Sequence, residues 1–347
     1  MVRQASCLPA RRRPYPSGMT TVDVAGARSV LKSLAAAAAD IKIAHSIFAL
    51  PFAILAAFLA WPRDRVAPAD FVARLALIVL CMIFARTWAM LVNRIADARI
   101  DAANPRTARR AIPAGRLTRA HAIALLTASG ALFVGAASLF WPLFDNPWPA
   151  YLCIPVLAWI ALYSFTKRFT ALCHVFLGGA LAASPVAAAI AVDAMGAFLT
   201  PLDAPVAAGP NATFESFELG GIAILFLAAM VVLWVAGFDV IYALADIHFD
   251  RAHNIHSIPA HLGWRGAAWV SRALHLGAFI MLVLAWRADP RLGSIFGAGV
   301  AIVGLVLLAE HVVLARRREA GLDMAFFTLN GAVSCVLGLA GVIDLLA

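Results

Sequence analysis

Charge is what this chain has least of. Lys, Arg, Asp and Glu make up 14% of its 347 residues, against 63% hydrophobic, whereas a soluble domain carries about a quarter charged side chains. The balance excludes a water-soluble globular fold and implies a membrane protein. Cysteine is sparse too. Its five copies, at 7, 81, 153, 173 and 335, show no paired spacing, so neither a Cys-based metal site nor a disulfide framework is indicated, and packing is their plain role. The apolar segments lack strict two-residue alternation, which disfavours a barrel and leaves helices. The first 33 residues hold no apolar core of signal-peptide length. Residues 1–33 read as a disordered N-terminal extension, and residues 28–42 as a helix at the cytoplasmic interface.

What is present is a series of long apolar windows. A bilayer core about 30 Å thick needs roughly 20 such residues per helix. Nine windows qualify: 43–61, 71–92, 119–140, 148–166, 172–194, 219–242, 266–285, 293–315 and 324–346. The expected fold is therefore an all-α membrane protein, nine transmembrane helices in one bundle over residues 34–347. With the N-terminus inside, 21 of the 28 Lys and Arg residues fall on the cytoplasmic side, the bias that orients helices in a bacterial inner membrane. That bias, with anionic lipid, accounts for the net charge of +9 without a nucleic-acid partner. No obligate protein partner is evident, and the Asn211-Ala-Thr sequon is too short a match to carry weight.

Two cytoplasmic loops, 93–118 and 243–265, stand apart. Asn93, Asp97 and Asp101 follow one another at four-residue steps and stack along one face of a helix that carries the second span past the membrane. Asp239, Asp246 and Asp250, spaced by seven and four, share a second face. Stacked like charges cost a helix a few tenths of a kcal/mol per pair, so two retained rows imply a cation between them. Hard oxygen donors suit Mg²⁺, which shares its shell with waters and a phosphate-bearing substrate. A diphosphate bridged by Mg²⁺ to both rows is the inference. The bland alternative is a solvated face whose carboxylates are balanced by Arg94, Arg99 and Arg251.

Other residues argue against the bland reading. Arg86 lies within the second span, seven residues before Asn93 and on the same face, and an intramembrane Arg lines a polar cavity by default. Further cations gather at this level: Arg106, Arg109 and Arg110 in "NPRTARRAIPAGRLT", and Lys167 and Arg168 in "YSFTKRFT". Arg forks match phosphate oxygens, although Lys and Arg at cytoplasmic helix ends are also the ordinary orientation signal.

The stretches "NRIADARIDAANPRTARRAIPAG" and "GFDVIYALADIHFDRAHNIHSIPAHLG" resemble the two Asp-rich motifs of the UbiA-type intramembrane prenyltransferases, and the likeness runs over residues 40–347. The resemblance places the first motif on Asn93, Asp97 and Asp101 and the second on Asp239, Asp246 and Asp250. It also matches Arg106, Thr107 and Arg110 to an Arg-Thr segment, Tyr163, Lys167 and Arg168 to a Tyr-x-x-x-Lys-Arg segment, and Arg86 to an Arg of the second helix. Three positions depart from the family pattern: Arg94 stands in place of Asp, Ala111 in place of Pro, and His256 where a basic residue follows the second motif. Arg94 and the "HSIP" string resemble a branch of the 4-hydroxybenzoate polyprenyltransferase-like group, some members of which serve menaquinone synthesis.

The resemblance implies Mg²⁺-dependent transfer from a polyprenyl diphosphate to the ring of an aromatic acid of the 4-hydroxybenzoate type in quinone biosynthesis. The alternative acceptor is 1,4-dihydroxy-6-naphthoate. Asn93, Asp97, Asp101, Asp246 and Asp250 are then the metal residues, and Arg86, Arg110, Lys167 and Asp239 the catalytic ones. Substrate contacts fall to His45, Arg86, Arg106, Arg110, Tyr163, Lys167, Arg168, Tyr242 and His256. Arg86 is the expected clamp for the acceptor carboxylate, His45 a hydrogen-bond partner for its phenol. For His45, Tyr163 and Tyr242, packing is the competing role. A transporter of an anionic solute is the rival from another class, but it would place charges in mid-bilayer rather than at one interface.

Overall fold

The computed structural model describes residues 35, 48–197, 220–317, 322 and 328–347. The proposed extension 1–33, the interfacial helix apart from Ala35, His45, most of the outer loop 195–218 and the Asn211 sequon lie outside the described residues. Among the described residues the chain is helical, with no strand. The helices are α1 (Leu50–Leu59), α2 (Pro68–Ala103), α3 (Arg119–Ser138), α4 (Phe140–Phe144), α5 (Trp148–Thr166), α6 (Cys173–Asp193), α7 (Gly220–Ala243), α8 (Ile247–Ala252), α9 (Ile258–Ala288), α10 (Ser294–Arg317) and α11 (Asn330–Leu346).

Among the described residues seven helical segments are long and apolar enough to cross a membrane, while Leu50–Leu59 and Asn330–Leu346 are shorter apolar helices. The last two are the described parts of the windows at 43–61 and 324–346. The chain is thus a membrane helical bundle. Chain neighbours pack side by side, and α11 returns against α1, which also touches α6.

The centre of the bundle is α7. In its segment 61% of the apolar window is buried inside the protein, against 17% for α2, so α2 gives most of its surface to lipid and α7 gives little. Its fully buried Trp234 meets Phe52 edge-on at 5.5 Å and Phe238 at 5.1 Å. Lipid tails are as apolar as these rings, so packing of this kind, rather than escape from water, holds membrane helices together. Close approach needs small residues. Gly178 of α6 abuts the Val232 carbonyl of α7, where a Cβ would collide with backbone.

Two elements place the polar end. Pro68 sits in the first turn of α2, where its missing N–H costs nothing, and α2 then runs 36 residues without a break. That is about 54 Å, far beyond the roughly 30 Å core, so Asn93, Asp97 and Asp101 ride on a rod that continues past lipid. The second acidic stretch is built differently. After α7 the chain tightens into a 3₁₀ turn over Leu244–Asp246 before α8 begins, whereas the spacing predicted a continued helix. The helix α9 starts earlier than expected, at Ile258 behind a Ser257 cap, and is interrupted at Gly263, whose φ of 66° and ψ of −176° belong to a region that only glycine occupies freely.

Candidate active site

A cavity of about 220 Å³ opens at one end of the bundle, between the far ends of α2, α5 and α7 and the starts of α6 and α9. Asn93, Asp97 and Asp101 line it from α2, and Asp239, Tyr242, Asp246 and Asp250 from the other side. The two acidic rows that the sequence placed on separate helix faces therefore share one chamber. Arg106, Arg110, Tyr163 and Lys167 line it as well.

Each carboxylate is held. Asp97, fully buried, accepts from Lys167 Nζ at 2.5 Å, Arg168 Nη2 at 2.9 Å and Asn93 Nδ2 at 3.0 Å. Arg94 donates to Asn93 Oδ1 at 2.8 Å, so the residue that departs from the family motif orients the amide that in turn binds Asp97. Arg110 grips both oxygens of Asp101 at 2.7 and 2.8 Å through one nitrogen, and Thr107 Oγ1 ties back to the Asp101 carbonyl at 3.1 Å. Across the cavity, Arg106 pairs with Asp246 and donates to Tyr242 Oη at 2.6 Å, while Asn104 Nδ2 donates to Asp246 at 3.0 Å. Burial alone would lower the Arg106 pKa, but the bond to Asp246 and the adjacent Tyr242 outweigh it and raise the value above that of an ordinary Arg. Asp250 accepts from Ser257 Oγ at 2.7 Å. Asp239 takes a hydrogen bond from a buried histidine, His174, with Nδ1 and Oδ2 2.6 Å apart.

Three expected residues stand back from the cavity. Arg168 does not line it but reaches Asp97 from behind, with further bonds to the Ala96 and Ser164 carbonyls. Arg86 is half-buried on α2, two turns before Asn93, and is not part of the lining. His256 contributes backbone rather than ring: its N–H donates to the Lys167 carbonyl at 2.8 Å, and the imidazole stacks on His261 with centroids 5.5 Å apart. In the other direction, His174, Asn104 and Ser257 line the cavity without having been expected there. Ser257 was legible, because a Ser two residues before Pro259 marks a helix start. His174 carried no signal beyond a lone His near a helix end.

Asn93, Asp97, Asp101, Asp246 and Asp250 present hard oxygen donors to one space. Among the described residues no three His, Cys, Asp or Glu side chains are gathered closely enough to hold an ion by themselves. Such a set suits Mg²⁺, which takes one or two carboxylates and leaves the rest of its shell to water and substrate phosphate. The cations around it suit a polyanion.

The family model described as the UbiA prenyltransferase family matches residues 49–332. The chain belongs to that family. Among the curated relatives of this UbiA-family prenyltransferase are the 4-hydroxybenzoate octaprenyltransferases of Vibrio vulnificus, 28% identical over 75% of this chain and 81% of the relative, and of Saccharophagus degradans, 29% identical over 78% and 80%. Among solved structures, the apo UbiA homolog from Aeropyrum pernix K1 superposes with a TM-score of 0.71 at 32% identity, over 87% of this chain and 98% of that one. A UbiA homolog from Archaeoglobus fulgidus, solved bound to GPP and Mg²⁺, shares the fold with a TM-score of 0.56 at 15% identity, over 92% and 100%.

Proposed function

We propose that this UbiA-family enzyme transfers a polyprenyl group from polyprenyl diphosphate to the ring of an aromatic acid of the 4-hydroxybenzoate type, in quinone biosynthesis. The reaction is Mg²⁺-dependent and faces the cytoplasm of a bacterial inner membrane. The residues form one membrane domain over 34–347, with α1 and α11 belonging to the first and last of nine spans and the N-terminus inside. The observation that carries this reading is the single cavity in which two acidic rows and the cations Arg106, Arg110 and Lys167 meet. The acceptor class rests on the activity named for the curated relatives. The Mg²⁺ rests on the donor set and on the ion bound in the Archaeoglobus homolog.

Asn93, Asp97, Asp101, Asp246 and Asp250 would hold Mg²⁺ with one or two carboxylates to an ion, and the metal when bound supplies charge neutralisation at the diphosphate. Arg106, Arg110 and Lys167 are bonded to those same carboxylates, so donor binding turns them from carboxylate to diphosphate oxygen. Their charges then stabilise the leaving group as the allylic C–O bond breaks and its electron pair departs with the diphosphate. Apolar walls keep water from the allylic cation. The ring carbon ortho to the phenol supplies the electron pair for the new C–C bond, and Asp239 accepts the ring proton. Arg86 is assigned the acceptor carboxylate, and Tyr163, which lines the cavity, a contact with the substrate.

The test supplies purified protein in lipid with labelled prenyl diphosphate, Mg²⁺ and a panel of aromatic acids, and identifies products by mass. A prenylated hydroxybenzoate that disappears without Mg²⁺ is expected. Prenylation confined to the dihydroxynaphthoate would transfer the assignment to that acceptor, and no prenylated product with any aromatic acid would overturn it.

A further inference from the structure

His174 is the second residue of α6 and only 2% exposed, yet it joins three separate parts of the site. Its Nδ1 lies 2.6 Å from Asp239 Oδ2 on α7. Its Nε2 lies 3.3 Å from the backbone nitrogen of Ile258, at the start of α9. An amide N–H can only donate, so Nε2 is the acceptor and the ring proton sits on Nδ1, aimed at the carboxylate. The imidazole is thereby fixed in tautomer and in plane.

The carboxylate it faces is unlike the others. Asp97, Asp101 and Asp246 each pair with Lys or Arg, and Asp250 is bound by a serine. Asp239 lines the cavity with its side chain 22% exposed, and among the described residues His174 is its hydrogen-bond partner. That bond commits Oδ2 and leaves Oδ1 for whatever enters. Among the described residues no Lys or Arg is ion-paired to Asp239, so a substrate in the cavity meets a carboxylate oxygen that no Lys or Arg holds.

We propose, resting on the prenyl-transfer reading above, that His174 is a positioning residue that holds Asp239 at the angle from which Oδ1 takes the ring proton. After the new C–C bond forms, the ring C–H bond breaks, its electron pair restores aromaticity, and the proton passes to Oδ1. His174 keeps its own proton throughout and acts only through Asp239.

The two nitrogens give a discriminating test. In His174→Asn the side-chain amide N–H falls near the position of Nδ1, whereas in His174→Gln it falls near Nε2, and His174→Leu keeps bulk without any donor. Steady-state kinetics in nanodiscs should show kcat down about 10- to 100-fold in the Leu and Gln variants, the usual weight of a hydrogen bond to a charged group, with KM for the prenyl diphosphate unchanged and kcat largely restored in the Asn variant. In an Asp239→Asn background, His174→Leu should give no further loss. Equal kcat in the Asn, Gln and Leu variants, or full additivity with Asp239→Asn, would overturn the role of His174. An Asp239→Asn variant as active as the parent would instead overturn the Asp239 base, whatever the His174 variants do. Thermal unfolding within a few degrees of the parent in each variant separates these outcomes from misfolding.

Discussion

Asp97→Asn tests the acidic row most directly. The side chain is fully buried and takes Lys167 at 2.5 Å, Arg168 at 2.9 Å and Asn93 at 3.0 Å. The substituted amide keeps an oxygen for Asn93 and loses the charge that the two cations face. A hydrogen bond to a charged group contributes about 1.5–3 kcal/mol. Lys167 and Arg168 are 27% and 34% exposed, so water takes over part of that contribution, and about 1 kcal/mol per contact is the fitting figure. The expected loss of stability, about 2 kcal/mol, is small against the roughly 5–15 kcal/mol typical of folded domains. The variant should therefore insert and fold. Activity should respond far more, because one substitution removes a hard oxygen donor and the anchor that aims Lys167. Losing one preorganised electrostatic contact costs on the order of 10²- to 10³-fold in kcat. The assay measures prenylated product from purified protein in nanodiscs across a Mg²⁺ series, with thermal unfolding in parallel. Turnover within threefold of the parent throughout that series would refute the reasoning. So would activity lost only in step with folded protein.

Arg86→Met should raise KM for carboxylated acceptors about tenfold, as expected for a charge-assisted bond, and leave acceptors without a carboxylate unchanged; equal losses on both would remove Arg86 from the acceptor clamp. Gly263→Ala should lower the unfolding temperature through about 1–3 kcal/mol of backbone strain, since the added Cβ meets nothing nearer than Arg251 at 3.5 Å and the cost is conformational; an unchanged melting curve would show that the kink relaxes. Glu310, wholly buried between α9 and α11, accepts from Asn330 at 3.2 Å, while its Oε2 makes no hydrogen bond and faces His275 Nδ1 at 3.7 Å. Glu310→Gln should therefore leave stability unchanged or raise it, and Glu310→Ala should cost about 2–4 kcal/mol; calorimetry showing the reverse order would contradict this.

The helices were legible because lipid imposes length and apolarity on every span, and those survive in a single sequence. Asn93, Asp97 and Asp101 were legible as a row because a helix turns four-residue spacing into one face. The second row reached the same cavity by another path: the 3₁₀ turn at Leu244–Asp246 replaces the helical continuation that its spacing suggested. His174 could not be read, since its meaning depends on Asp239, 65 residues away, and Ile258, 84 residues away, coming together when α6, α7 and α9 pack. The placement of His256 was not legible for a related reason. Its position beside the motif is real, but the chain there spends its backbone N–H on Lys167 and turns the ring toward His261. Arg94, which stands where the family pattern has Asp, donates to Asn93, a contact that its departure from the pattern did not reveal.

The contrast between an unbroken α2 and an interrupted partner has a mechanical consequence. One side of the chamber is a stiff post, embedded in lipid for most of its length, so the offsets among its three polar side chains are fixed at manufacture. The opposite side has a joint before Asp246 and another at Gly263, beyond Asp250. On that side the three carboxylates therefore come from three differently built pieces of chain, Asp239 from α7, Asp246 from the 3₁₀ turn and Asp250 from α8, and their mutual offsets depend on the turn rather than on one rod.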